Sequence, residues 1–174
     1  MTRFLLYFIL ALFFGCSSTI KKEEGTPKIE KQVEKFQSFV FDNENILTET
    51  QILKFDSLFR KHEKKTTNEI VLVTTQDYGQ DENILHFSVN FANRLGVGKA
   101  GKNNGVVIVM NSAKREVRIS TGYGTENVLT DAIAQKIVDS IMVPRFKEGK
   151  LYEGLFAGSK AVVDFLERPE NVVK

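Results

Sequence analysis

Apolar positions along this chain change their spacing several times, and each change marks an element. Residues 4–14 are one apolar run in which only Tyr7 carries a hydroxyl. Beyond residue 38 the pattern becomes periodic. Phe39 and Phe41 alternate with smaller or polar neighbours, and Asp42-Asn43-Glu44-Asn45 reads as a turn. Ile52, Phe55, Leu58, Phe59 and His62 then share one helical face up to about residue 65. Thr48 and Gln51 have the spacing of a capping box ahead of that helix. His62, at the margin of the face, reads as a half-exposed structural residue. Residues 69–75 are short, apolar and β-branched, the signature of a central strand. Asp77-Tyr78-Gly79 breaks it. Asp81 is the expected cap of a second helix carrying Ile84, Leu85, Phe87, Val89, Phe91 and Leu95, which Gly96 ends.

Residues 96–105 form a loop with four glycines, and residues 106–110 a buried strand. After a short turn at 111–114, Val117 and Ile119 face one way while Glu116, Arg118 and Ser120 face the other. This predicts an antiparallel hairpin. Thr130 or Asp131 is placed to cap a third helix with the stripe Ile133, Ile137 and Ile141, and Pro144 is expected to follow its end. Residues 146–149 read as a link. A last amphipathic helix over 152–166 carries Leu155, Phe156, Val162, Val163 and Leu166, and the residues after Pro169 read as a frayed tail. Helices interleaved with strands, one of them in a hairpin, predict a single α/β domain.

Composition changes the picture mainly at the N-terminus. The apolar run of residues 4–14 suits a secretory signal and is too short to span a bilayer. It ends at Phe13-Phe14-Gly15-Cys16, a lipobox-like sequence that makes Cys16 the expected acylated first residue of the mature protein. As the only cysteine, Cys16 leaves no internal disulfide to form. The expected organisation is a lipoprotein signal peptide at 1–15, a flexible tether at 16–37, the α/β domain at 38–167 and a tail at 168–174. The tether is charged, with Lys21-Lys22-Glu23-Glu24-Gly25-Thr26-Pro27, and its roughly 20 residues reach roughly 25 Å as a flexible chain. The expected location is the bacterial cell envelope, with the protein held to a membrane, on its periplasmic or outer-membrane face, through lipidated Cys16. Lys and Arg number 24 and Asp and Glu 22, without the basic excess of a nucleic-acid binder.

The most promising stretch for a ligand is 118–131. It reads as strand, glycine-flanked turn and helix cap, with Tyr123 between Gly122 and Gly124 and with Glu126 and Asp131 close behind. Gly122 and Gly124 are expected to supply backbone angles other residues avoid. A strand end of this kind is a frequent ligand site in α/β folds. The glycine loop at 96–105 lacks the Gly-Lys-Ser/Thr ending of a phosphate-binding loop and precedes a strand, so a nucleotide cradle fails on context. It is expected to form the opposite wall of the same site. No Cys or His cluster offers a zinc site.

Several motifs follow one another in order: Val40-Phe41-Asp42 with Ile46-Leu47, then Glu69-Ile70-Val71-Leu72-Val73, Gly101-Lys102-Asn103-Asn104-Gly105-Val106 and Arg118-Ile119. Gly122-Tyr123-Gly124-Thr125-Glu126, Leu129-Thr130-Asp131 and Pro144-Arg145-Phe146 complete the set. Together they resemble the TPM domain, a family that includes a thylakoid lumen protein linked to photosystem II repair and many bacterial exported proteins. The resemblance covers about residues 38–167. It implies a three-layer α/β/α sandwich with a mixed central sheet, binding of Ca²⁺ or Mg²⁺ and, from some members, acid phosphatase activity. By position, the family's motif acids and amides fall on Asp42, Asn103, Asn104, Glu126 and Asp131. Asn103 stands where the family commonly has Asp, which removes one anionic oxygen, and Thr130 stands where Pro is common.

A hard cation takes several oxygen ligands. Asp42, Asn104, Glu126 and Asp131 are the expected metal set, with Asn103, Gly122, Tyr123 and Gly124 as further binding residues. The expectation is an envelope domain that binds a divalent cation and a protein partner. The alternatives are a metal-dependent acid phosphatase and a metal-independent assembly module.

Overall fold

The structure, a computed structural model, describes residues 37–171. The expected signal peptide, Cys16 and the tether as far as residue 36 lie outside the described residues. Among the described residues no helix is long and apolar enough to cross a membrane. In chain order the elements are β1 (Val40–Asp42), α1 (Glu49–Thr66), β2 (Glu69–Thr74), α2 (Ile84–Leu95), β3 (Gly105–Asn111), β4 (Glu116–Thr121), α3 (Asp131–Ile137), α4 (Val143–Lys147) and α5 (Leu151–Leu166). A π-helical turn, Val138–Met142, joins α3 to α4.

The sheet order is β1-β2-β3-β4, with β1, β2 and β3 parallel and β4 antiparallel to β3. β2 and β3 are buried along their whole length, which is why they read as continuous apolar runs rather than alternating ones. Ile70, Leu72, Ile108 and Ile119 meet Phe55, Phe59, Leu155 and Leu166 in the larger core, between the sheet and the α1, α3 and α5 layer. Val73, Val107 and Val109 pack with Tyr78 and Phe87 in a smaller core under α2. The domain is therefore a three-layer α/β/α sandwich on a mixed sheet, as expected. Its topology carries one departure from the usual rule. The strands advance in one direction from β1 to β3, while α1 and α2 cover opposite faces. The two crossovers must have opposite hands, so one of them is not right-handed.

Local chemistry explains most element ends. The Gln51 N–H donates to Thr48 Oγ1 at 3.3 Å and the Thr48 N–H to Gln51 Oε1 at 2.8 Å, the reciprocal capping box expected for α1. The start of α2 differs from expectation. Asn83, not Asp81, is the cap, its Oδ1 accepting from the His86 N–H at 3.0 Å. Pro144 also behaves differently. The helix runs on through it instead of ending before it. Proline has no N–H for the carbonyl four residues back, and the preceding turn widens to a π-helix that accommodates it. Arg145 Nη1 donates to Ile141 O at 2.6 Å across this irregular turn.

His62 is wholly buried rather than half-exposed. Its Nδ1 lies 3.1 Å from Glu167 Oε1 and its Nε2 lies 3.2 Å from Thr66 Oγ1. A neutral ring with its proton on Nδ1 donates to the Glu167 carboxylate, while the one Thr66 hydroxyl proton is shared between Nε2 and His62 O, 2.9 Å away. Lys65 holds the other Glu167 oxygen at 2.6 Å, so α1 is fastened to the end of α5. The chain beyond Glu167 is not frayed at once: Pro169–Asn171 forms a 3₁₀ turn, and Asn171 Nδ2 donates to Phe165 O at 2.9 Å.

This fastening titrates. Burial lowers the His62 pKa from its ordinary 6.5, against the pull of the Glu167 carboxylate. Burial pushes Glu167 up, but its bonds to Lys65 and His62 outweigh that and leave it below its ordinary 4.5. In both cases the unfolded chain binds protons more readily than the folded one, so stability falls as pH drops. The His62 contribution is complete above pH 6.5 and declines below it; the Glu167 contribution declines below pH 4.5. Thermal unfolding at pH 7.5, 6.5 and 5.5 is expected to show a fall in melting temperature below 6.5 that is flatter in His62→Gln. An equal slope in the variant would refute the assignment.

Candidate functional site

Antiparallel pairing of β4 with β3 sets Thr121 opposite Val106, so the turn after β4 meets the loop before β3. The Gly122 N–H donates to Gly105 O at 2.9 Å and the Gly124 N–H to Asn103 O at 3.0 Å. Thr125, buried, adds a hydroxyl bond to Gly105 O at 3.2 Å. The two backbones touch so closely that a Cβ on Gly124 would lie 1.8 Å from Lys102 O, and one on Gly122 would lie 2.3 Å from Asn103 O. Neither glycine has a positive φ. Their requirement is space, not the unusual backbone angles expected from sequence.

The loop at 96–105 is fastened from behind. Asn104 is wholly buried; its Oδ1 accepts from the Lys99 N–H at 2.8 Å and its Nδ2 donates to Asn68 Oδ1 at 3.0 Å. Glu69, also wholly buried, accepts from the Gly98 N–H at 2.7 Å and pairs with Lys99 Nζ at 2.8 Å. Burial disfavours the Lys99 charge, but Glu63 and Glu69 together raise its pKa above the ordinary value. Asn103, at the loop tip, is exposed with φ 51°, a left-handed conformation that Asn tolerates well.

Between α2 and these strand ends lies a cavity of about 380 Å³, lined among others by Ser88, Val89, Val97, Asn103, Gly122, Tyr123 and Glu126. A second depression of about 430 Å³ is lined by Leu85, Arg118, Asn127, Thr130 and Asp131. Both are also lined by Val89, Ser120, Thr121 and Glu126, so they adjoin as one groove. Three large apolar side chains stand open beside it: Leu85 at 39% exposure, Val89 at 44% and Tyr123 at 75%. Leu85 and Val89 are one helical turn apart on α2. Polar bonds tie α2 to β4 beneath them. Ser88 donates to Leu85 O at 2.8 Å, which leaves Ser120 to donate to Ser88 at 2.7 Å and to accept from Arg118 Nε at 3.0 Å. Arg118 Nη2 lies 3.6 Å from Asp131 Oδ1.

The groove brings together Asn103, Gly122, Tyr123, Glu126 and Asp131, with Gly124 in the backbone clamp behind them. The glycine loop forms its opposite wall. Asp42 lies elsewhere. It pairs with Thr74 at the carboxyl end of the parallel strands, whereas the groove is at their amino end. The seven residues of β3 separate the two ends by about 20 Å. There the Asp42 carboxylate accepts from Thr74 Oγ1 at 2.6 Å and from the Leu47 N–H at 2.8 Å, fastening the turn after β1. Asp42 and Glu126 therefore cannot hold one ion, and Asn104 spends its amide inside the fold. Asp131 is 83% exposed on the first turn of α3, and Thr130 is the cap, accepting from the Ile133 N–H. Among the described residues no group of three or more His, Cys, Asp or Glu is placed to hold a metal ion. Leu85, Ser88 and Val89 escaped sequence reasoning as site residues, because only the packing of α2 on β4 brings them to Ser120 and Thr121 of the 118–131 stretch. The parity of Arg118 and Ser120, facing the same way, was the one available signal.

The groove assembles an open aromatic ring, two aliphatic side chains, hydroxyls, one guanidinium and two carboxylates. The clamp that shapes it is testable. Gly124→Ala is expected to cost about 3 kcal/mol in urea unfolding through forced backbone separation. Gly101→Ala, at φ 78° with open space around it, is expected to cost about 1 kcal/mol. Equal costs would show that the close approach is not what constrains Gly124.

Comparison with known proteins agrees with this architecture. No curated protein matches the chain. Among solved structures, the chain is similar to the N-terminal domain of a protein from P. gingivalis, solved in solution by NMR. The two are 32% identical, with a TM-score of 0.69 over 75% of this chain and 82% of that one. The BA42 protein of the psychrophilic bacterium Bizionia argentinensis shares the fold at 18% identity, with a TM-score of 0.61 over 76% of this chain and 92% of that one. An N-terminal domain from Corynebacterium glutamicum shares it at 13% identity, with a TM-score of 0.59 over 77% and 83%. The model of the TPM domain matches residues 40–165, from the first strand almost to the end of the last long helix. The chain belongs to the TPM domain family.

Proposed function

We propose that this domain is a binding module whose α2–β4 groove takes a segment of a partner protein in the cell envelope. The observation that carries the reading is Tyr123, 75% exposed beside Leu85 and Val89 over an adjoining pair of cavities. Exposed aromatic and aliphatic anchors around a recess are the usual energetic centre of a protein contact. Glu126, Asp131 and Arg118 leave one net negative charge on the groove, which favours a partner segment with a basic side chain. The lipobox-like Phe13-Phe14-Gly15-Cys16 and the charged tether support presentation of the groove from a membrane surface.

A divalent cation is a second reading, favoured by Glu126. Its carboxylate has no hydrogen bond or ion pair among the described residues, and it lines the same depression as Asp131. Two carboxylates with Arg118 beside one of them fit a weak Ca²⁺ or Mg²⁺ site, filled out by water, rather than a tight cage. Acid phosphatase activity has less support. Ser88 and Ser120 bond each other, with Leu85 O and Arg118 as their respective second partners, and among the described residues neither hydroxyl has a histidine or lysine base as partner.

Capture from envelope extracts with the full chain separates these readings. Tyr123→Ala is expected to weaken retention of a specific partner by about 30-fold, a loss of about 2 kcal/mol. Leu53→Ala, which removes an exposed leucine on α1, is expected to leave retention unchanged. Equal retention by both variants rejects the groove. Amide shifts at Glu126, Asn127 and Asp131 are expected with millimolar Ca²⁺ or Mg²⁺, and their absence rejects the cation. Phosphate release from a generic ester that is absent, or unaltered in Glu126→Ala, rejects hydrolysis at this site.

A further inference from the structure

The other end of β4 borders a larger cavity, of about 560 Å³, between the β3–β4 hairpin and the α4–α5 junction. Its apolar lining includes Met110, Val117, Phe146 and Leu151. Arg115 and Lys147 line it as well, and both are exposed. Neither side chain has a hydrogen bond or ion pair among the described residues; the Arg115 N–H donates to Ser112 O at 3.3 Å within the turn. The one acid in the lining, Glu116, already accepts the Tyr78 hydroxyl at 2.5 Å. Neighbouring Lys114 is engaged elsewhere, its ammonium 4.1 Å from the centre of the Tyr78 ring. The cavity therefore combines an apolar interior with two uncommitted cations and one committed carboxylate.

Arg115 is also conformationally costly. Its φ is 57°, a left-handed angle that hairpin loops usually give to Gly, Asn or Asp. A long cation held in this position gains nothing for the turn itself. Its guanidinium presents a fork of N–H donors that matches a carboxylate, and Lys147 adds a point charge. The volume lies in the range of small-ligand sites.

We propose that this cavity is a second binding site, separate from the α2–β4 groove, for a small amphipathic carboxylate. The apolar body of the ligand rests on Met110, Val117, Phe146 and Leu151, and its carboxylate is held by Arg115 and Lys147. The proposal is independent of the reading of the groove.

Titration of the full chain with decanoate, decanol and decyltrimethylammonium, each below its micelle concentration, tests it. Decanoate is expected to give saturable amide shifts at residues 112–117 and 146–151, with Ser88 and Tyr123 unmoved. The neutral alcohol is expected to bind about tenfold more weakly, since it lacks the charge-assisted bonds, and the cation weaker still. Arg115→Asn is expected to keep or raise the melting temperature, because Asn suits the left-handed angle, while weakening decanoate about tenfold. Lys147→Gln provides the same comparison on the helical side. Equal affinity for acid and alcohol, shifts scattered over the surface, or unaltered decanoate affinity in both variants overturns the proposal.

Discussion

Two backbone hydrogen bonds close the amino end of the sheet, from Gly122 to Gly105 and from Gly124 to Asn103. They join two glycines of the turn after β4 to the first residue of β3 and to the loop before it. No side chain intervenes, because none would fit at Gly122 or Gly124. From this contact follow the position of Tyr123, the wall formed by residues 96–105 and the recess between them and α2. Buried Glu69, paired with the partly exposed Lys99, and the Asn104 amide support the same loop. Buried charges of this kind are costly unless they are paired and hydrogen-bonded. Glu69 meets the Gly98 N–H and the Lys99 ammonium, which ties it to two successive residues of the loop.

The acids of this chain divide according to the donors around them. Asp42, Glu44 and Glu69 sit where backbone N–H groups or hydroxyls need acceptors, and each is used to fix a turn or loop. Glu126 and Asp131 remain at the surface, where among the described residues their carboxylates have only the distant Arg118 contact to Asp131. An acid already accepting short hydrogen bonds has little left to offer an ion or a substrate. This distinction, rather than the number of acids, decides which carboxylates stay available at the surface.

β4 links the two cavities through its pleat. Arg118 lines the depression beside α2, while its neighbour Val117 lines the cavity beside α4 and α5. Successive side chains of a strand point to opposite faces, so one six-residue strand serves two surfaces of different character. One is open, hydroxyl-rich and slightly acidic. The other is apolar and edged by cations.

Local signals carried far in this chain. The Thr48–Gln51 capping box, the apolar runs of β2 and β3, the alternation in β4 and the amphipathic stripe of α5 are set by neighbouring residues, and a reader of the sequence can recover them. So was the pairing of the two glycine segments, because a hairpin necessarily folds its flanks together. The two helix misreadings have local causes: Asn83 and Asp81 are both acceptable caps, and Pro144 can be absorbed by a π turn as well as end a helix. What only tertiary structure decided was distance and occupancy. Asp42 and Glu126 look alike in the sequence, yet the parallel order of β1, β2 and β3 places one at the far end of the sheet. Asn104 reads as a ligand until the Asn68 and Lys99 contacts use up its amide. His62 reads as marginal until α5 brings Glu167 against it. Identical side chains become fasteners or binding groups according to which donors the fold delivers, and those donors come from residues far away in the chain.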